Sequence, residues 1–302
     1  CNLQTMEEKK RFNFSNDKSK VLIVGKNKES RRVVGHIKNG AIQECTEYKY
    51  LGVWLDKDGS ANRQIQEIVK KMKKVTNRIA VMAGKENVGK MEIQTKMFLF
   101  NTVGVNTVFN SIEVWSKFTK SQMAELEKVY IGGIKRMLGM PVTTPTWGIL
   151  AICGLWSIEA VITYKKLMVY HMLKNSENER LGKIVIQEQE KREERNSWLS
   201  NLKESTKVLK LNIKLEEVQK YKKSDWKKKI KGELTNYMER TLQEKTEDMK
   251  KLRFVASFKD RRYGERLETE EARLVMKVKL NMLPIYGNLG EKEKSCRLCS
   301  TE

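Results

Sequence analysis

Three groups of side chains in this 302-residue chain have the types and spacing to do chemistry or to hold a charged partner. The first is cationic: Lys70, Lys71, Lys73, Lys74 and Arg78 follow one another closely. On a helix, such ammonium and guanidinium groups hold phosphates without reading base sequence. Balanced by Glu67, the same residues also describe an ordinary solvated face. The second group is Lys227-Lys228-Lys229, beside Trp226 and close to Lys222 and Lys223. A ring among cations can stack on an unpaired base. A tryptophan pointing into a core beside solvated lysines is the commoner arrangement. The third is Cys296-x-x-Cys299, the spacing of half a zinc knuckle, because two thiolates from one turn can take adjacent tetrahedral positions. No further His or Cys follows before Glu302, so this half-site is expected to bind Zn2+ weakly or not at all. His36 and His171 stand too far from a partner to suggest nucleophilic catalysis, and Cys1, Cys45 and Cys153 form no pattern. There is no phosphate-cradling Gly-rich loop ending in Lys-Ser/Thr, no His-Glu-x-x-His, and no adjacent pair of aspartates.

The charge balance names the class of partner. Lys and Arg total 60 against 38 Asp and Glu, a net charge of +22. Neutralising phosphates releases counterions, so RNA, an RNA–DNA hybrid or DNA is the expected partner. No run approaches the length of apolar residues that spans a bilayer, and no signal peptide opens the sequence. A basic protein of the membrane surface ranks last, for want of a helix with one strongly basic face and one Trp/Phe/Leu face. Six Trp, nine Tyr and eight Phe within regular apolar patterns argue against disorder throughout. Five unevenly spaced cysteines suggest a reduced, intracellular setting, cytoplasmic or nuclear.

The elements that position these groups change period along the chain. Residues 12–56 read as β-rich. Val21–Val24 is an apolar run, Asn39-Gly40 is a hairpin signal, and Tyr48–Asp56 reads as a strand closed by Asp58-Gly59. After Ser60 the spacing becomes helical: Ile65, Ile68, Met72, Val75, Ile79 and Met82 share one face. Residues 90–109 predict a second, apolar helix. Thr119 and Gln122 form a capping box for a third, which Gly139 and Pro141 stop. Thr144-Pro145 starts a short helix and Ser157 caps the next. From Lys174 to Arg262 charge dominates, with Trp198, Leu202, Val208, Leu211, Trp226, Ile230 and Tyr237 as an intermittent apolar face. Residues 269–282 predict a last amphipathic helix.

In this order the chain resembles the downstream part of a non-LTR (LINE-type) retrotransposon reverse transcriptase. Phe12 to Val24, with Lys18-Ser19-Lys20 before an apolar run, resembles polymerase motif D, with Ser15 where the family has Asn. Tyr48-Lys49-Tyr50-Leu51-Gly52 resembles motif E, the primer grip joining palm to thumb. The run from Leu138 to Leu173, with Leu-Gly-Met-Pro, Trp147-Gly148-Ile149-Leu150 and Cys153-Gly154-Leu155, is similar to the thumb and post-thumb region. Met276 to Leu289 followed by Cys296-Arg297-Leu298-Cys299 is similar to the basic segment before the family's zinc knuckle.

The resemblance implies an α+β, mainly α chain: a small antiparallel β remnant of a palm, then a helical thumb and a basic helical linker. It divides the chain into a palm remnant (1–59), a thumb bundle (60–140), post-thumb helices (141–175), a basic linker (176–290) and a truncated knuckle (291–302). Lys18 would be the acid beside an incoming triphosphate, where negative charge develops. Lys20, Tyr50, Leu51, Gly52, the cations of 70–78 and Lys227–Lys229 would contact nucleic acid. The parent activity is RNA-directed DNA synthesis with Mg2+, and the aspartates that hold those ions lie outside this sequence. The fragment is therefore expected to grip without catalysing, with the rest of the reverse transcriptase as partner. The rival is a stand-alone helical nucleic-acid-binding or scaffold protein, which predicts a self-contained sheet in residues 12–56 with no orphan edge.

Overall fold

The computed structural model describes residue 15 and residues 18–24, 36–37, 40–84, 91–192, 196–248, 252, 255, 269–280 and 282. It is mainly helical, with ten α-helices and small two-stranded sheets near the N-terminus among the described residues. The chain forms two compact units, residues 1–68 and 69–302. The boundaries expected near 140, 175 and 290 all fall inside the second.

The first unit holds three strand pairs. β1 (Lys20–Leu22) runs parallel to β4 (Gln43–Cys45), while β2 (His36–Ile37) and β3 (Gly40–Ala41) are antiparallel. β5 (Glu47–Tyr50) and β6 (Val53–Asp56) form the third, antiparallel pair. The expectation of an all-antiparallel remnant therefore fails at β1. The stretch between Leu22 and Gln43 includes the β2–β3 hairpin and brings β4 back in the direction of β1, as a parallel pair requires. The hairpin register also moves Gly40 out of the turn and into β3, opposite Ile37. Each sheet has only two strands, so no described strand is flanked on both sides. A three-residue parallel pair lacks the covered faces on which parallel sheets depend.

The predicted strand across Tyr48–Asp56 is in fact β5, a two-residue turn and β6. Leu51 and Gly52 carry φ of 47° and 87°, the positive pair of a type I′ turn, whose twist matches the strands it joins. Asp58-Gly59 closes β6 as expected: the Asp58 amide donates to Asp56 Oδ1 at 2.7 Å and the Gly59 amide to the Asp56 carbonyl at 3.0 Å. α1 (Asn62–Gly84) follows. Within the first unit its Gln64 Oε1 accepts the Trp54 amide at 2.9 Å, and the Arg63 guanidinium lies 4.5 Å from the Trp54 ring.

In the second unit the caps stand where the sequence puts them. α4 (Lys120–Leu138) opens with the Thr119–Gln122 capping box and closes at Gly139 with φ 65°. α5 (Thr146–Cys153) follows Pro145, and Ser157 Oγ accepts the Ala160 amide at the start of α6 (Ile158–Lys174). The helix predicted over 90–109 is composite: α2 (Ile93–Leu99), a π-helical stretch (Phe100–Gly104) and α3 (Val105–Val108). The buried residues Phe100, Gly104 and Val108 are four apart, and the wider π turn keeps such positions on one face. Val75 and the Phe100 ring leave no slack at Gly104, where an added Cβ would come within 3.3 Å of both.

The charged stretch after Lys174 folds as α7 (Leu181–Arg192), α8 (Trp198–Val208), a 3-10 turn (Leu215–Lys220) and α9 (Lys223–Asp248). Its apolar positions meet α6 in one cluster that includes Leu167, Tyr170, Leu202, Trp226 and Ile230. Val208, expected on that face, is exposed instead. α10 (Thr269–Lys279) buries Ala272 and Met276, and its Arg273 Nε donates to the Leu138 carbonyl at 3.0 Å, at the negative end of α4. No single described helix is long and apolar enough to cross a membrane.

Trp226 is fully buried and its indole N–H donates to the Leu167 carbonyl at 3.1 Å. Trp226→Ala is expected to cost about 4 kcal/mol in urea unfolding. Lys228→Ala, two residues on and on the exposed side of α9, should stay within about 0.5 kcal/mol of the parent.

Candidate nucleic-acid interface

The hairpin tip in the first unit projects into solvent. Tyr50 is 60% and Leu51 81% exposed. Leucine is a poor residue for positive φ, because its Cβ crowds the following carbonyl. Gly52 suits the turn by its φ alone, since nothing lies within 4 Å of where its Cβ would be. Lys18 is exposed in a turn whose Ser19 amide donates to the Ser15 carbonyl at 2.9 Å. The Tyr48 hydroxyl donates to the Lys18 carbonyl at 2.8 Å, which ties that turn to β5. Lys20 Nζ donates to Gln43 Oε1 at 2.6 Å, so this candidate is engaged across the β1–β4 pair.

On α1 the periodicity separates the two faces. Ile68, Met72, Thr76 and Ile79 are buried, whereas Lys70, Lys73, Lys74 and Arg78 are exposed and Lys71 is half-buried. Lys70, Lys74 and Arg78 are spaced by four, so they form a slanted row about 6 Å apart along the axis. Met82, assigned to the apolar face, is exposed near the helix end, and Val75 is half-buried.

Beside that row, within the second unit, α1 and α4 border a cavity of about 940 Å³. Met72, Val129 and Met140 line it, Lys73 lies on the α1 side, and Lys128, Lys135 and Arg136 lie on the α4 side. Glu125 and Glu127 also line it. The helices pack tightly at Gly133, where a Cβ would stand 2.7 Å from Thr76 Cγ2. Arg136 Nη1 donates to Asn77 Oδ1 at 3.3 Å. Lys135 Nζ donates to the Val142 carbonyl at 2.8 Å, and burial lowers its pKa. The α4 cations were not singled out from sequence. Their signal was present as Lys128, Lys135 and Arg136 at helical spacing around Gly132-Gly133.

The second cationic group divides. Lys227 and Lys228 are exposed on α9. Lys229 Nζ donates to the Tyr221 hydroxyl at 2.8 Å and sits 4.7 Å from that ring's centroid. Trp226 packs 5.6 Å from Tyr221 and 6.1 Å from His171, so the ring is a core residue and is closed to base stacking. Cys296 and Cys299 lie outside the described residues. No group of three His, Cys, Asp or Glu that could share a metal ion occurs among the described residues.

A titratable group that sequence reading passed over lies on α6. Lys166 is 3% exposed, its Nζ donates to the Ser116 carbonyl at 2.6 Å, and burial lowers its pKa to about 8. Glu159 lines the same small pocket as Lys166, and burial raises its pKa, helped by the charge of Glu127; elsewhere in the unit burial also raises those of Tyr130 and Tyr170.

No family model matches this chain, and no curated protein or solved structure is significantly similar to it.

Between its lowered folded value and the ordinary lysine value, Lys166 is neutral in the native state and protonated in the unfolded one. Stability therefore rises with pH through that window. From pH 7 to pH 9.5 the parent should gain about 2 kcal/mol relative to Lys166→Met in paired urea titrations. Parallel pH profiles for the two proteins would contradict a buried ammonium.

Proposed function

We propose that this chain is the C-terminal part of a LINE-type reverse transcriptase, and that it grips the phosphate backbone of RNA, RNA–DNA hybrid or DNA. The observation that carries the reading is the exposed cationic row of α1, flanked by a cavity with three more cations on α4. A row of ammonium and guanidinium groups at about 6 Å intervals neutralises successive phosphates and leaves base identity unread. Two further features agree with it. The solvent-facing tip Tyr50-Leu51-Gly52 precedes the cationic helix in the order of a primer grip and thumb. The two-stranded sheets offer open edges among the described residues, as a palm remnant would.

In this reading the β-rich segment is the end of a palm, α1 to α4 belong to a thumb, and α7 to α9 form a basic linker. Lys18 would serve the incoming triphosphate only in the complete enzyme, where Mg2+ ions held by aspartates outside this sequence support the transfer. The setting is intracellular, where template RNA and target DNA are found. A second reading, a stand-alone helical nucleic-acid-binding protein, draws on the closed apolar cluster of the second unit around α6.

Micromolar-scale binding that weakens with salt is expected. Replacing Lys70, Lys73, Lys74 and Arg78 by Ala should lower the slope of log K against log salt by about three in fluorescence anisotropy. An unchanged slope would remove α1 from the interface. Tyr50→Ala with Leu51→Ala should weaken binding to an RNA–DNA hybrid with a recessed DNA end, whereas the second reading expects no change. No nucleotide incorporation is expected with Mg2+ and a primed template, and incorporation would overturn the fragment reading.

A further inference from the structure

The trough between α1 and α4 carries groups that phosphate binding alone leaves unused. Its volume is about 940 Å³. The two helices pack against each other at Gly133 and Thr76, and the Arg136–Asn77 hydrogen bond spans them near that point. The lining includes Val69 on α1, Val129 on α4, and Gly132, where nothing stands within 4 Å of an added Cβ. Lys73 on α1 and Lys128 on α4 also line it, and neither is ion-paired among the described residues. Glu125, exposed on the α4 wall, is likewise unpaired among them.

We infer that this trough receives the bases of an unpaired nucleic-acid strand whose phosphates lie on the cations beside it; the inference rests on the phosphate grip proposed above. A duplex turns its phosphates outward and its bases inward, so it offers an apolar trough nothing to hold. A single strand is free to splay its bases to one side and its phosphates to the other. The lining separates this occupant from two others. A second copy of the chain would bring another charge of +22 against the same cations. An acidic peptide helix would set its carboxylates against Glu125 and Glu127. A nucleotide suits all three kinds of group. Its phosphate meets Lys73 and Lys128, and its ring face meets Val69, Val129 and the open space at Gly132. An exocyclic amine donates to Glu125, as cytosine N4 does to carboxylates.

The contribution of the bases is separable from that of the charge. Burying roughly 60 Å² of a base's ring surface corresponds to about tenfold in affinity. That factor releases no counterions, so it persists as salt is raised and the phosphate contribution falls. Gly132 is the position at which to remove it. The residue lies within α4 with open space beside it, so a leucine there fills the trough and also favours the helix.

The test is fluorescence anisotropy of the whole chain with three labelled probes: a mixed-sequence DNA strand, an equally long strand of abasic residues, and the first strand annealed to its complement. The base-bearing strand should bind about tenfold tighter than the abasic one. The duplex should bind no tighter than the single strand, despite its higher charge density. Gly132→Leu should bring the ratio of base-bearing to abasic affinity close to one, with helicity followed by circular dichroism. The parent's own ratio decides the case should that variant lose helicity. Glu125→Ala should lower the preference for oligodeoxycytidine over oligodeoxythymidine. Equal affinity for base-bearing and abasic strands, or a duplex bound more tightly than either, overturns the trough as a base site. The phosphate grip survives that result if the affinities still fall with salt. Affinities independent of salt for all three probes would overturn the grip and this inference with it.

Discussion

Burial of α6 is the constraint on which the larger unit depends. Only 39% of the residues are hydrophobic and the net charge is +22, so the apolar surface must be concentrated if a core is to form at all. Much of it lies on α4, α5 and α6, and α6 gathers the later helices. α6 buries Ile158, Ala160, Val161, Ile162, Leu167 and Tyr170, and it receives α7, α8, the 3-10 turn and α9 on its surroundings. Trp226 joins α9 to it through both ring contact and an indole hydrogen bond to the Leu167 carbonyl. Buried area of this kind is worth roughly 25 cal/mol per Å², which outweighs any of the exposed ion pairs on α7 to α9.

That concentration also determines where the charge goes. With their apolar faces turned inward, α1, α8 and α9 leave cations such as Lys70, Lys203 and Lys227 in water. Local pairs at i, i+3 occur elsewhere, as Lys191–Glu188 on α7 and Lys220–Glu217 in the 3-10 turn. The excess positive charge destabilises the compact state by self-repulsion and raises the local concentration of a polyanion. The same burial produces the anomaly at Lys166. A helix that is surrounded on most sides cannot keep every lysine in solvent, and the Ser116 carbonyl is the partner that the adjoining connection supplies.

The parts of this fold legible in the sequence were those set by local chemistry. Thr119–Gln122, Gly139, Ser157 and Asp58-Gly59 act through groups two to four residues away, and the structure places each as expected. Trp226 was weighed as core or stacking platform, and burial against Leu167 and Tyr221 decided for core. What stayed hidden depends on distant partners. The π turn at Phe100–Gly104 lies where Gly104 meets Val75 of α1, a contact that no local pattern carries. The Leu51-Gly52 turn was concealed because leucine reads as strand and continues an apolar run. The parallel pairing of β1 with β4 depends on where a long connection returns. Lys166 and the α4 cations became a site only once other helices lay beside them.

Leu51 bears further on how the first unit works. A leucine at φ 47° that is almost wholly in solvent gains little from packing in this chain, yet the backbone pays of order 1 kcal/mol to hold it there. Asn or Gly would form the same turn without that cost. Strain of this kind persists where the side chain is useful at the surface. The strained side chain at Leu51 and the exposed ring of Tyr50 make an apolar tip on a hairpin anchored by Arg63, Gln64 and the Tyr48 hydroxyl. In the proposed reading, such an apolar tip would meet the sugar faces of a strand rather than its phosphates. The first unit thus presents apolar side chains at this tip, whereas the exposed cations of α1 from Lys70 onward belong to the second.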